Sequence, residues 1–420
     1  MEATMGEPLL EHSFSKYLGL PKNTVHRGTL LMACLLGVVQ YGVVYVFAVV
    51  VDELAPYYGL NRSAADELFD MLNYGACALS FVPGLLYDKL GATKAMVIGT
   101  CVGALPILLL LNWSWLVGSV DVLIGLKICY LIFGMALSFF QVIATFAPLE
   151  AFPVQYLGAV SAAVQVSTSL GATIQSAVFL LLKAHFKDFV YAYYLYMLTC
   201  TVGCGVLMAF AFWENGRILH RSKTTIDTDN TDSLGSQLMS VSFAYDCLLF
   251  YLGVGFVFSY LDAAGILNAL VGLGASRATV AFGIYGALAR VVCNLALDFT
   301  RTKRCGGPMT YIALSLISLA TGLLAVAVAA PSRGSVIAMN IFCSFGAGGL
   351  LGITPAALRL SFGSGSLGLI YGLLYVLTSL GIPTWGSLLP RPTQSWSTYC
   401  GTGAFMQLLL AVGAILVGAR

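Results

Sequence analysis

Arg290 is a cation inside an apolar run, eight residues before Asp298, or about 12 Å along a helix rising ~1.5 Å per residue. That depth is near the middle of a hydrocarbon layer, where a cation costs ~2.5–3.5 kcal/mol on insertion scales and normally faces a cavity or a partner. Guanidinium grips a carboxylate through two parallel hydrogen bonds. Gly286 and Gly283, one and two turns further from Asp298, are expected to leave an open groove beside it. The chemistry this suggests is capture of an anion. The competing reading is a structural ion pair, with the glycines serving close helix contact. Asp246 is the carboxylate best placed to sit opposite Arg290 or to carry a proton, whereas Asp262 and Lys127 lie nearer the surfaces, where Lys127 is expected to snorkel. The polar side chains expected to line a cavity are Gln40, Tyr41, Gln141, Gln165 and Thr168, then Tyr251, Tyr285, Asn340 and Thr378. For each of these the alternative is a helix–helix hydrogen bond worth ~0.6–2 kcal/mol.

A second set of residues suits gating rather than binding. In Gly84-Leu-Leu-Tyr-Asp88-Lys89-Leu-Gly91-Ala-Thr-Lys94 the aspartate ends one apolar run, where it can latch onto a neighbouring helix N-terminus or a cation. Gly91 permits a tight turn, and the lysines suit an anionic leaflet. The pattern returns at Asn294-Leu-Ala-Leu-Asp298 with Arg301, Lys303 and Arg304, Asn294 and Arg301 standing where the first copy has glycines.

These residues must be positioned by membrane helices. Of 420 residues, 59% are hydrophobic and 10% charged, with mean hydropathy +0.87, against about 25% charged in soluble domains. Apolar runs reach the ~20 residues needed to cross as helix, and their continuity excludes strand barrels. Twelve spans follow, at about 29–51, 67–86, 93–111, 122–147, 156–182, 189–213, 242–266, 277–297, 309–330, 335–358, 367–389 and 399–418. They imply an all-α membrane protein of two pseudo-symmetric six-helix bundles, 29–213 and 242–420. A cytosolic N-terminus over 1–28 precedes them, and a polar, flexible linker over 214–241 joins them. The halves repeat at an offset of 210: Phe152, Leu157, Gly158, Val166 and Thr168-Ser-Leu-Gly171 recur as Phe362, Leu367, Gly368, Val376 and Thr378-Ser-Leu-Gly381. Asp88 matches Asp298 in the same register, and the Thr-Ser-Leu-Gly copies are expected to pack between halves. With the N-terminus inside, 13 Lys and Arg fall in cytosolic segments and 6 in outer loops, as the positive-inside rule requires. The sequons at Asn61 and Asn112 then lie outside as glycosylation candidates.

The Asp88 loop resembles the signature loop of the major facilitator superfamily, and its second copy strengthens the resemblance. Tyr41-Gly42-Val-Val-Tyr45-Val-Phe47, Tyr58-Gly59-Leu-Asn-Arg-Ser63 and Phe152-Pro153…Leu157-Gly158 are similar to the monocarboxylate, oxalate–formate and nodulin-like group. That resemblance implies alternating access, gating by Asp88, Lys89 and Asp298, and a substrate carboxylate on Arg290. It also implies spans 1, 4, 7 and 10 as the pathway lining. Two positions depart from the group: Leu157 stands in place of a basic residue, and Gly286 in place of an aspartate one turn before the arginine. The second departure removes the usual partner for proton coupling.

No GxSxG, HExxH or phosphate loop is present, the four histidines lie at or beyond the membrane edges, and the 11 cysteines form no CxxC. An enzyme, a cofactor, a metal site and a nucleic-acid partner are therefore not expected. The expected partners are the bilayer and a small-molecule substrate, and the chain is expected to act as a monomer, with room for an accessory subunit. The function expected is a carrier of a small carboxylate-bearing solute, with proton coupling as one option. The alternatives are an amino-acid or other polar-metabolite carrier, or a transport-inactive receptor. Gly6-Glu7-Pro8-Leu9-Leu10 resembles an acidic dileucine signal with short spacing, which leaves the plasma membrane ahead of an endosomal or vacuolar one.

Overall fold

The computed structural model describes residues 22–112, 121–216, 234–274, 276–300, 307–363, 365–388 and 395–418. Arg301 and the Leu9-Leu10 signal lie outside these residues, as does the Asp262 side chain within its helix. Eleven helices among the described residues are long and apolar enough to cross a membrane. The twelfth path is the second span, expected as one helix and found as two, Arg62–Ala78 and Phe81–Leu90, with a turn at Leu79 and Ser80 between them.

Span 1 runs through Lys22–Val38, a tight turn at Val39–Gly42, and Val43–Tyr57. Spans 3 to 6 are Ala92–Leu111, Val122–Ala151, Leu157–His185 and Phe189–Glu214. Span 7 comprises Val241–Leu248, a widened turn at Leu249–Val254, and Gly255–Leu270. Spans 8 to 12 are Ser276–Thr300, Pro308–Ala329, Arg333–Phe362, Leu367–Ser387 and Trp396–Gly418. Leu234–Leu238, within the expected linker, is helical, and Gln237 Nε2 donates to Phe362 O at 3.3 Å. The rest of that linker, 217–233, lies outside the described residues.

Several helices begin with a side-chain cap of their own. Asn61 Oδ1 accepts from Ala64 N–H, Asp121 Oδ1 from Leu123 N–H, Asp188 Oδ1 from Tyr191 N–H and Ser240 Oγ from Phe243 N–H. Span 10 starts with a capping box between Ser332 and Ser335. Spans 5 and 11 start with no such cap from their own N-cap residue.

Lipid gives helices no hydrophobic reason to pair, so small residues that let backbones touch take over that role. A Cβ at Gly134 of span 4 would overlap the Leu72 carbonyl of span 2, and one at Gly75 the Leu131 carbonyl in return. The glycines of the Thr-Ser-Leu-Gly copies, expected to pack between halves, pack within them, whereas Ser169 of the first copy takes a hydrogen bond from Arg290 of the other half. Gly171 meets Val39 of span 1, Gly381 meets Tyr251 and Gly255 of span 7, and Thr378 Oγ1 donates to Phe250 O at 3.3 Å. The ten cysteines within the described residues are free.

Replacing Gly134 by alanine forces spans 2 and 4 apart, at a cost of about 1–3 kcal/mol for overpacking. Gly203→Ala on span 6 meets nothing within 4 Å and gains helix propensity of up to ~1 kcal/mol. Thermal unfolding in detergent should therefore show a lower midpoint for the first variant and an equal or higher one for the second.

Candidate functional site

The two halves meet most closely where span 2 packs on span 11 and span 8 on span 5. Both contacts end in a carboxylate on a helix N-terminus. Gly368 N–H donates to Asp88 Oδ1 at 3.1 Å, and Leu369 N–H to Oδ2 at 2.7 Å. In the other pair, Gly158 N–H donates to Asp298 Oδ1 and Ala159 N–H to Oδ2, each at 2.8 Å. The donors are among the first N–H groups of spans 11 and 5, which have no partner within their own helix. The helix dipole and the charge both strengthen such bonds. The glycines follow from this geometry. A Cβ at Gly84 would strike the Gly368 carbonyl, one at Gly158 the Asn294 carbonyl, and Gly91 turns the chain at φ +81°. Asn294, in the place of Gly84, meets Gly158 with its carbonyl and turns its side-chain amide back along its own helix, donating to Arg290 O at 2.8 Å. Lys89 and Lys94 are exposed beside the first clamp.

Further into the molecule, Arg290 is 1% exposed and reaches from span 8 into the first half. Its Nη1 donates to the Gln165 carbonyl at 2.5 Å and to Ser169 Oγ, both on span 5. The Tyr45 hydroxyl lies beside the guanidinium, and Tyr371 and Tyr375 are close by. Phe282 faces it with 6.0 Å from Cζ to the ring centroid. Nε is buried without a partner, and among the described residues no carboxylate lies within 4.0 Å of the guanidinium. The expected groove exists only in part. Gly283 meets nothing within 4 Å, but Gly286 packs on Gly348 of span 10, while Gly352 lies against Arg290 itself.

The other sequence candidates divide into two groups. Tyr41 stands edge-on to Tyr45 at 5.9 Å, Gln141 lies beside the Tyr371 hydroxyl, and Gln165 supplies its carbonyl to Arg290, so these three belong with the arginine. Gln141 Oε1 and Gln165 Nε2 are buried without partners. Gln40 instead donates to Thr201 Oγ1 at 3.0 Å and accepts from Gln175 at 3.4 Å, inside the first half. Asn340 donates to Asn268 Oδ1 at 2.8 Å, and the Tyr251 hydroxyl pairs with Thr384 at 3.0 Å, both inside the second half. Tyr285 is half-buried on span 8. For Gln40, Asn340 and Tyr251 the geometry is that of helix–helix hydrogen bonds. Asp246 is 3% exposed with Oδ2 unpartnered, and it does not pair with Arg290. Lys127 forms an ion pair with Glu67 rather than reaching outward alone.

An aromatic cluster went unread in the sequence. Phe258 lies parallel to Tyr45, planes within 5° and centroids 6.2 Å apart, and Tyr45 meets Phe282 at 6.4 Å. Tyr371 packs on Tyr375 at 4.6 Å, with hydroxyls 3.1 Å apart, and Phe146 of span 4 meets Tyr371 at 4.9 Å. Such rings resemble ordinary core residues in an apolar chain, and only their convergence on Arg290 from both halves sets them apart.

A helical bundle with two carboxylate clamps and a central charge at the interface between halves is the form of a secondary transporter. The chain belongs to the Major Facilitator Superfamily, whose family description matches residues 33–418, and it is a membrane transporter rather than an enzyme. Solved structures agree in fold. A double-tryptophan mutant of XylE, the xylose transporter of E. coli, superposes with TM-score 0.72 at 12% identity, covering 94% of this chain and 96% of that one. The human organic anion transporter MFSD10 gives TM-score 0.62 at 14% identity, covering 95% and 99%. A bacterial homologue of the iron transporter ferroportin, in an outward-facing state, gives 0.61 at 17%, covering 93% and 98%. No curated protein matches the chain by sequence.

Neutralising both clamps as Asp88→Asn and Asp298→Asn removes the charge–dipole attraction, worth up to ~2 kcal/mol at each site. Leu90 and Phe299 are exposed, one from each half. Spin labels at those positions should report longer separations in the double variant, with the fraction of separated molecules rising about tenfold or more. An unchanged distance distribution would show that the clamps do not hold the halves.

Proposed function

We propose that this chain carries a small organic solute bearing a carboxylate across the membrane by alternating access, with Arg290 as the anion site. The observation behind this reading is the buried guanidinium, which joins the halves yet has, among the described residues, no carboxylate partner and an idle Nε. Buried charge is costly unless paired, and a ligand carboxylate completes both the charge and the donor. The substrate would compete with Ser169 and the Gln165 carbonyl for the arginine. That competition loosens the hold of span 8 on span 5, the same pair of helices that Asp298 clamps. Binding in the centre and release at the gate would then be one event, with the bundles 29–213 and 242–420 rocking about the site.

On this reading the Asp88 and Asp298 end faces the cytosol with both termini, and Asn61 and Asn112, both exposed, face outward as glycan acceptors. The plasma membrane is the favoured location, and the monomer is the working unit. The subgroup proposed is the monocarboxylate and oxalate–formate one. Asp246 is proposed as a proton carrier because its carboxylate is buried with a free oxygen in span 7.

Uptake of a labelled metabolite panel into proteoliposomes, with and without a pH gradient, tests the reading. Carboxylates should accumulate with wild type, and Arg290→Ala should lower uptake by about tenfold or more, the loss of a charge-assisted pair worth ~1.5–3 kcal/mol. Equal transport by the variant would remove Arg290 from the site. Asp246→Asn should keep solute exchange but abolish the response to the pH gradient. A response that survives in this variant would place the proton elsewhere.

A further inference from the structure

The surroundings of Arg290 carry more information about the substrate than its charge alone. From the first half come Tyr45 and Tyr41, and from the second Phe258, Phe282, Tyr371 and Tyr375. Tyr45 meets Tyr41, Phe258 and Phe282 at centroid separations of 5.9–6.4 Å. Tyr371 and Tyr375 form a second pair at 4.6 Å, also close to the arginine, and Phe282 faces the guanidinium. Among the described residues, the buried side-chain polar atoms without a partner on the residues that meet the guanidinium or the rings are the Gln141 acceptor, the Gln165 amide and Arg290 Nε. The tyrosine hydroxyls are largely engaged, Tyr371 with Tyr375 and Tyr45 beside the guanidinium. A polyhydroxylated solute would have to break these pairs to satisfy its hydroxyls, and each unmade buried hydrogen bond counts against it. A two- or three-carbon acid would use the arginine and leave the ring faces without a new contact. A planar ring attached to a carboxylate uses both, since aromatic edges and faces exchange one ring partner for another at little loss.

We propose that the site takes an aromatic carboxylate, its carboxylate on Arg290 and its ring among Tyr45, Phe258 and Tyr371. The inference rests on the reading of Arg290 as an anion site and adds the class of anion. The rings then have two functions: without substrate they seal the centre by packing on one another, and with it they enclose the ring. Because Tyr45 and Phe258 come from opposite halves, a ring inserted at this point separates the same pair of bundles that the clamps join.

Equilibrium binding to the purified full chain in detergent, with pyruvate and phenylpyruvate as matched probes and phenylacetamide as the neutral control, tests the proposal. Phenylpyruvate should bind about tenfold more tightly than pyruvate or better, and phenylacetamide should bind weakly or not at all. Phe258→Leu should bring the ratio of the two acids towards one, and Phe258→Tyr should restore it. If pyruvate binds wild type as well as phenylpyruvate does, the aromatic class is wrong while the anion site stands. If neither acid binds and no carboxylate is taken up, both readings fall. The wild-type ratio decides the matter even where the leucine variant does not fold.

Discussion

Spans 5 and 11 begin without caps of their own, and each takes one from the opposite half. A helix start has N–H groups with no partner in its own helix, which a side chain, a backbone group or water must satisfy. Asp298 and Asp88 satisfy them across the interface, each with two oxygens on two consecutive N–H groups. The arrangement makes helix capping, ordinarily a local matter, the bond between bundles. A residue that capped its own helix would stabilise one half. Here the same chemistry stabilises one arrangement of two halves, and it is lost when they part.

The rest of the interface is arranged so that this bond can form. Carboxylates can reach the helix starts only if backbones touch, which explains the glycines at 84, 158 and 368. Within each half the contacts are of another kind. Gly75 against span 4, Gly134 against span 2, Gly171 against span 1 and Gly381 against span 7 make dense backbone packing. Close packing inside bundles and a few directional bonds between them is what rigid-body rocking needs, because interfaces held by discrete bonds are bistable.

How much of this was legible in the sequence depends on whether the determining chemistry is local. Span positions, the paired aspartates and the isolated arginine could be read directly, because length, apolarity and charge at depth need no partner to be recognised. The break at Leu79 and Ser80 could not, since 67–86 reads as one apolar run. Its turn is held by Ser80 Oγ, which faces Cys77 O at 2.7 Å and Gly372 O at 3.0 Å. The destinations of Gln40, Asn340 and Tyr251 were equally hidden, as an amide or phenol gives no sign of whether it faces a neighbour helix or a cavity. The aromatic ring cluster was invisible for the opposite reason: rings are abundant in the chain, and only convergence distinguishes these few.

Ser80 and Arg290 occupy the same place in the two copies of the repeat, and the comparison shows what the asymmetry does. Both donate to a backbone carbonyl of the opposing span, Ser80 to Gly372 on span 11 and Arg290 to Gln165 on span 5. A serine does this as a neutral, short group and satisfies itself. An arginine does it with charge and a donor left over, so the first tether is complete and the second is not. Had both halves carried the arginine, two like charges would repel across the centre of the membrane. Had both carried serine, nothing there would distinguish an anion from water. One tether is complete and the other keeps an unpartnered donor, on the span whose end is clamped by Asp298, so the buried cation and the carboxylate clamp share one helix.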